Sequence, residues 1–506
     1  MNEFVEGLNL VLHLSTFLWC AFGSVLGIIL GALPGLTATM GIALVIPISY
    51  QLDTATGIGL LLAVYCGAVC GASIPAVLLG IPGNPNAIAT VEDGLLMTKK
   101  GLAGQALGGV IIASVIGGLG SEIFLIFFSP LVAKMTLAFG PAEKCTLSLV
   151  GIIIIAAVSG KSLLKGLLMG AVGFVLAFLG PDPMSGALRI PFTTLLSKTP
   201  LASGLDMTSV LIGLYGVSQV FFEIKNIVKN EKKEVCTDIG KVIPPFKKIT
   251  SMWKIILSSL GIGTLIGAVP GTGASIAVFM SRNAAQGICA KSKGKLDMPG
   301  TGCLEGVFAP EVANNAVTGG ALIPALSLGI PGDSATAVLI GALLINGVTP
   351  GFSLFSQNMP LVYSIFVTLL ISNIFMGVFQ FAGIRIYPKV LLISQSVLMP
   401  IVLILSFVGP YALAGSSVSK GVYFLGTSLV MGIFGYYLKI NDYPIAPIVL
   451  GLILGKMFEE QFRKGIKLGG GTFERFYTSP ICMLFIALVI FVIVSTAIKN
   501  RKAKKC

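Results

Sequence analysis

The sequence predicts an all-α polytopic membrane protein of roughly 10–14 transmembrane helices, built as two inverted-topology repeats with broken helices and re-entrant hairpins. Three observations carry that expectation: the composition, the length of the apolar runs, and two glycine-proline motifs that return about half a chain later. Hydrophobic residues make up 55% of the 506 and charged residues 11%. With a mean hydropathy of +0.94, this is far from a soluble domain, where about a quarter of residues are charged.

The apolar runs follow one another along the whole chain. They lie near 8–31, 55–80, 106–133, 145–180, 206–224, 253–281, 316–346, 360–384, 390–410, 421–438, 444–458 and 480–498. Each approaches or exceeds the ~20 residues needed to span a bilayer, and 145–180 has room for two helices. Four glycine-proline breaks fall within these runs or at their ends. GALPGLTAT (31–39) returns as GAVPGTGAS (267–275), and GASIPAVLLGIPG (71–83) returns as GALIPALSLGIPG (320–332). A break inside a membrane helix frees backbone N–H and C=O groups that hydrocarbon cannot satisfy, so it persists only where it is buried in protein or lines a cavity. Repeated breaks of this kind point to a transporter whose site lies where the two repeats meet.

Charge placement orients the repeats. Before Lys99 the chain carries acids but no Lys or Arg, so the ends of the first broken segment face outward under the positive-inside rule. The second follows a lysine-rich loop (225–254) and leaves into Arg282, Lys291, Lys293 and Lys295, so its ends face the cytoplasm. A stretch that enters beside Lys254 and leaves beside Arg282, with Pro270-Gly271 between, is easiest to build as a hairpin. One motif approached from opposite faces marks an inverted repeat. The expected organisation is a first half over 1–230, a basic cytoplasmic linker over 231–252 ending its helices at Pro244-Pro245, a second half over 253–475, and a C-terminal helix with a basic tail over 476–506.

Several classes are excluded. The net charge of +13 sits in loops and at the C-terminus without interleaved aromatics, so nucleic acid is not a partner; the bilayer is. The nine cysteines include no pair at zinc-ligand spacing, His13 is the sole histidine, and no basic region precedes the first apolar run as a secretory signal would require. Ser159-Gly160-Lys161-Ser162 resembles the end of a P-loop, but Ile155 stands where the first glycine belongs.

GALPGLTATMGIALVIPI, GIPGNPNAIATVEDGLLMTKKGLAGQALG, SLLKGLLMGAVGFVLAFLGPDPMSGALRIPF and EGVFAPEVANNAVTGGALIPALSLGIPGDSATAVLIGALLINGVTPG together are similar to the large membrane subunit of the tripartite tricarboxylate transporters. The resemblance runs from about residue 20 to 400. It implies a secondary active transporter in the plasma or inner membrane that imports citrate-like tri- or dicarboxylates by symport with a cation. It also implies two partners, a small membrane subunit and an extracytoplasmic substrate-binding protein. The chain departs from the family pattern at RIPFT (189–193) and GLDMTSVLIGLY (204–215), so the resemblance does not fix citrate as the acid carried.

Anion transport makes its own demands. The repeated motifs hold no Arg or Lys, which leaves helix N-termini as donors: a segment starting after Pro34-Gly35, Pro82-Gly83, Pro270-Gly271 or Pro331-Gly332 offers free N–H groups and about half a positive charge. Hydroxyls and amides follow each break. The expected substrate shell is therefore Pro34, Gly35, Thr37, Thr39, Gly83, Asn84, Asn86, Pro270, Gly271, Thr272, Ser275, Gly332, Ser334 and Thr336. The plain alternative is that these residues only cap broken helices. No cofactor is expected, only a transported cation, Na⁺ or H⁺. Asn314, Asn315 and Asp333 offer oxygen donors for it, and Glu311 is a proton carrier or, equally, an acid at a helix start. Asp333→Asn is expected to abolish gradient-driven uptake without unfolding the protein. The rivals, an anion channel and a membrane-embedded enzyme, lack a ring-forming filter signature and a catalytic constellation respectively.

Overall fold

The computed structural model describes residues 2–136, 139–158, 162–182, 184–187, 189, 200–227, 239–393 and 395–503. Ser159-Gly160-Lys161, Ile190 to Thr193 of RIPFT, and 231–238 of the linker lie outside the described residues. Among those described there is no strand. Among the described residues, seven helices are long and apolar enough to cross a membrane, and five shorter apolar helices accompany them. The chain is a polytopic membrane protein.

The chain divides into two compact units, each drawing on both halves of the sequence. The first comprises Met1–Leu131, Glu223–Val269 and Gly273–Val402. Its opening elements are α1 (Asn2–Asn9), α2 (Leu14–Ala32), α3 (Ala38–Ser49), α4 (Thr54–Gly71), α5 (Ser73–Leu79), α6 (Ile88–Lys99) and α7 (Ala103–Met135). α2 stops at Ala32 because Leu33, held extended by the proline after it, cannot continue a helix. α4 starts where the Asp53 side chain accepts the Thr56 N–H at 3.0 Å.

α2 and α4 run parallel. Gly23 lies against Leu60, Gly27 against Val64 and Gly31 against Ala68, so successive turns advance together. α3 must then return between them, and Gly41 packs beside Leu30. The pair α2–α3 is a helical hairpin with its tip at Pro34-Gly35. α4 and α5 continue as one apolar stretch, Thr54–Leu79, whose membrane-length window is wholly buried.

The later part of this unit repeats the arrangement. α8 (Pro141–Val158) to α11 (Ser218–Ile227) intervene, with α9 (Leu163–Ala177) and α10 (Met207–Leu211) among them. There follow α12 (Phe246–Ser251), α13 (Trp253–Ala268), α14 (Gly273–Ala290), α15 (Leu304–Leu328), α16 (Ser334–Ile345), α17 (Phe352–Gln357) and α18 (Met359–Ala382). Gly263 lies against Ala313 and Gly267 against Val317, so α13 runs parallel to α15 as α2 does to α4. Ser281 Oγ on α14 bonds Ser259 Oγ on α13 at 2.7 Å, closing a second hairpin about Pro270. Matching positions make matching contacts: Gly71 meets the Ile28 carbonyl, and Gly320 meets the Thr264 carbonyl.

The two copies exchange helices. α7 packs along α15, where Gly109 meets Leu304 and Phe308 and Gly117 meets the Val312 carbonyl, whereas α18 packs along α4, where Gly59 meets Thr368. α7 and α18 cross antiparallel, Gly118 beside Asn373 and Val115 beside Gly377. Small residues permit this close approach where lipid supplies no hydrophobic drive.

The second unit comprises Val132–Phe222, Pro270–Thr272 and Leu403–Cys506. After α19 (Tyr387–Val390) and α20 (Gln395–Leu413), its later elements are α21 (Val418–Ile440), α22 (Ala446–Leu468), α23 (Glu474–Thr478) and α24 (Pro480–Ala503). α22 packs on α8 and α9, with Gly173 and Gly451 at the closest point. Asp182, Arg189, Glu459 and Arg463 form an ion-pair cluster: Arg463 reaches Asp182 at 2.6 Å and Glu459 at 2.8 Å, and Arg189 reaches Glu459 at 2.8 Å.

Candidate functional site

In each copy the second break folds back onto the end of the first helix. A Cβ on Gly83 would lie 2.5 Å from the Gly31 carbonyl oxygen, and one on Gly332 would lie 2.5 Å from that of Gly267. α5 ends at Gly80 and α15 at Gly329, both left-handed, and Ile81 and Ile330 donate back to the Pro75 and Pro324 carbonyls at 3.3 Å each. The hairpin tips match too. Gly35 (φ 90°) and Gly271 (φ 80°) occupy a backbone region open to glycine and strained for other residues. Pro34 and Gly35 are half-buried, with Gly35 against the Glu223 carboxylate.

The two copies also meet crosswise. α16 packs on α3, and the short turn Pro85–Ala87 packs on α14. Ser275 Oγ donates to Asn86 Oδ1 at 2.8 Å, joining the region after the third break to the region after the second. Pro270, Gly271 and Thr272 themselves belong to the second unit.

Several expected shell residues are occupied as caps. Thr37 accepts the Met40 N–H at 3.3 Å. Asn84, buried, accepts the N–H groups of Asn86 and Ala87 at 3.0 and 3.2 Å. Asp333 and Thr336 form a reciprocal capping box at the start of α16, with the Thr336 N–H on Asp333 Oδ1 at 2.7 Å and the Asp333 N–H on Thr336 Oγ1 at 2.9 Å. Thr39 is buried in α3, Gly83 and Gly332 are buried, and Ser334 is exposed.

The expected coupling residues lie on α15 and just beyond it. Glu311 does not begin a helix: α15 starts at Leu304, which puts Glu311 two turns inside it and gives the acid of the first turn to Glu305. The helix-start reading of Glu311 is therefore wrong, because the helix reaches back past Pro310 to Cys303. Glu311 is fully buried. Its Oε1 accepts the hydroxyls of Ser73, at 2.6 Å, and Thr90, both from the first copy. Its Oε2 has no partner, and neither has Nδ2 or Oδ1 of Asn314, one turn on and 1% exposed. Buried polar atoms are almost always paired. Three atoms without a protein partner lie on adjacent turns of one helix.

Asn315 and Asp333 are engaged. Asn315 Nδ2 donates to Ser114 Oγ at 2.8 Å and to the Glu311 carbonyl at 3.1 Å. Asp333 Oδ2 accepts the Tyr65 hydroxyl at 3.0 Å across the two copies.

A polar clasp closes one end of the same unit. Asp93, fully buried, accepts the backbone N–H groups of Gly300 (2.8 Å), Gly302 (2.9 Å) and Cys303 (3.2 Å). Arg282 pairs with it and with Glu92, and Lys100 Nζ holds the Thr301 carbonyl at 2.6 Å. Lys248 pairs with Asp297 at 2.7 Å and Glu305 at 2.6 Å. Burial opposes the Lys248 charge, but those hydrogen bonds outweigh it and hold the ammonium above its ordinary value.

Sequence reasoning missed Tyr65, Ser73, Thr90 and this clasp. Ser73 carried a signal: it is one of three mismatches in the second motif pair, where its counterpart is Leu322.

The profile of the family described as "Tripartite tricarboxylate transporter TctA family" matches residues 17–450. An uncharacterized 52.8 kDa protein in the TAR-I ttuC' 3' region of Agrobacterium vitis is 29% identical over 493 residues, 96% of this chain and 94% of the relative. An uncharacterized protein in the TAR-II ttuC' 3' region of the same organism is 30% identical over 243 residues, 48% of this chain and 97% of the relative. No solved structure matches the chain.

Proposed function

This chain belongs to the tripartite tricarboxylate transporter TctA family, and on that premise we propose that it is the membrane carrier that imports a tri- or dicarboxylate under a cation gradient. The observation that carries this reading is the set of unpaired atoms on Glu311 and Asn314, where the broken helices of the two copies meet. Glu311 Oε2 and Asn314 Oδ1 take the coupling cation, Na⁺ or H⁺, as oxygen donors suit it. Asn314 Nδ2 donates to a substrate carboxylate, which the helix starts after the four breaks attract electrostatically. Asn315 and Asp333 hold the pocket in shape through Ser114 and Tyr65.

Coupling follows from charge. A cation beside Glu311 lowers the cost of an anion close by, and the anion favours the cation by the same factor. Alternating access is movement of one copy against the other around this pocket. The antiparallel crossing of α7 and α18 and the exchanged packing support a two-fold axis lying across the helices, hence an inverted repeat. The chain works in the plasma or inner membrane with a small membrane subunit and an extracytoplasmic binding protein, as a tripartite family implies.

Reconstituted with its partners in vesicles, the protein should take up labelled carboxylate saturably under a cation gradient, and an ionophore should stop it. Ohmic anion current that ignores the gradient would contradict the carrier reading.

A further inference from the structure

Glu122 stands on α7 where that helix crosses α18. Its side chain is 1% exposed. Oε2 lies 3.5 Å from Asn373 Nδ2, which the Leu369 carbonyl shares at 3.2 Å, and Oε1 has no partner. The groups facing it from neighbouring elements are few. α4 offers the Cys66 thiol, and α18 offers Asn373, the backbone N–H of Leu370 and no charged residue. On α13, whose Leu260 packs beside Gly120, the only charge is Lys254, with its ammonium over the Trp253 ring. On α15 the nearer acid is Glu311, engaged by Ser73 and Thr90. α2, α4, α15 and α18 contain no Lys, Arg or His.

An ionised carboxylate buried without a counter-charge costs several kcal/mol, and ionisable groups inside a membrane mark ion pathways. The surroundings also select the ion. One amide and one thiol are too few hard oxygen donors for an alkali cation, whereas a proton needs only the carboxylate itself.

We propose that Glu122 is a second ion site, separate from the Glu311–Asn314 pocket, that takes and releases a proton. Its consequence for transport rests on the carrier reading; its protonation does not. The test uses the full chain in nanodiscs and the variant Glu122→Gln, checked for fold by thermal unfolding. Infrared spectra at neutral pH should show a protonated-carboxyl C=O band in the wild type that E122Q lacks; identical spectra would overturn the proposal. In vesicles with the partner subunits, accumulation at one unit of imposed pH gradient should fall about tenfold in E122Q, one proton per pH unit, and unchanged accumulation would overturn the ion-site role. A wild type that accumulates no carboxylate would sink the carrier reading instead, while the infrared band still decides Glu122.

Discussion

Tyr65 on α4 and Asn314 on α15 occupy matching places in the two copies of the repeat, as do Asn84 and Asp333 at the helix starts beyond them. The backbone around them is the same, with Gly31 on Ala68 and Gly267 on Val317, and left-handed Gly80 and Gly329. The chemistry is not. The Tyr65 hydroxyl closes onto Asp333, whereas Asn314 has no partner for either polar atom. One side of the pseudo-symmetric core satisfies itself, and the other is left open. The difference teaches that the repeat supplies a frame, and that departures from it leave Asn314 without a protein partner.

The largest expected effect breaks the open side. Asn314→Ala should weaken substrate or cation binding about 10- to 100-fold, the loss of a hydrogen bond to a charged group. It should also raise the melting temperature of the unliganded protein, because a buried unpaired amide costs about 1–3 kcal/mol. A structural asparagine would give the opposite sign, so ligand titration and thermal unfolding together discriminate.

The next tests the shared frame. Gly31→Ala and Gly267→Ala each put a Cβ on a carbonyl oxygen, of Ala68 in one case and, at 2.8 Å, of Val317 in the other. Each should destabilise by about 1–3 kcal/mol, although Gly→Ala in an open helix stabilises by up to ~1 kcal/mol. Stabilisation by only one of the pair would show that the copies do not share their packing.

Smaller effects belong to the closed side. Tyr65→Phe removes one donor from Asp333 and should cost about 1 kcal/mol of stability, with coupling intact in a gradient-driven uptake assay. Asp333→Asn keeps an oxygen for the Thr336 N–H, so it should cost less than that. Its coupling ratio should also survive, contrary to what the sequence alone suggests, because the carboxylate is already occupied by Tyr65 and the cap. Abolished coupling in D333N with intact folding would return the cation site to Asp333.

The frame was legible in the sequence because proline constrains the residue before it: Leu33 and Val269 are held extended before Pro34 and Pro270 and end their helices, and the two IPG triplets mark the second breaks. The hairpin about Pro270 followed from charge at both of its ends. What one chain cannot display is pairing across the repeats. Nothing in YCGAVC announces that Tyr65 reaches Asp333, or that Ser73 and Thr90 face Glu311, 238 and 221 residues away. Glu311 was misplaced for a related reason. Pro310 looks like a helix start, yet α15 runs through it.

The most direct measurement is an experimental density map of the full chain with saturating carboxylate and Na⁺, at a resolution that shows ordered ligands. The account predicts density touching both the Asn314 amide and the free oxygen of Glu311, with Tyr65 still on Asp333. A map in which Asn314 and Glu311 are satisfied by protein groups alone, and ligand density sits elsewhere, would contradict it.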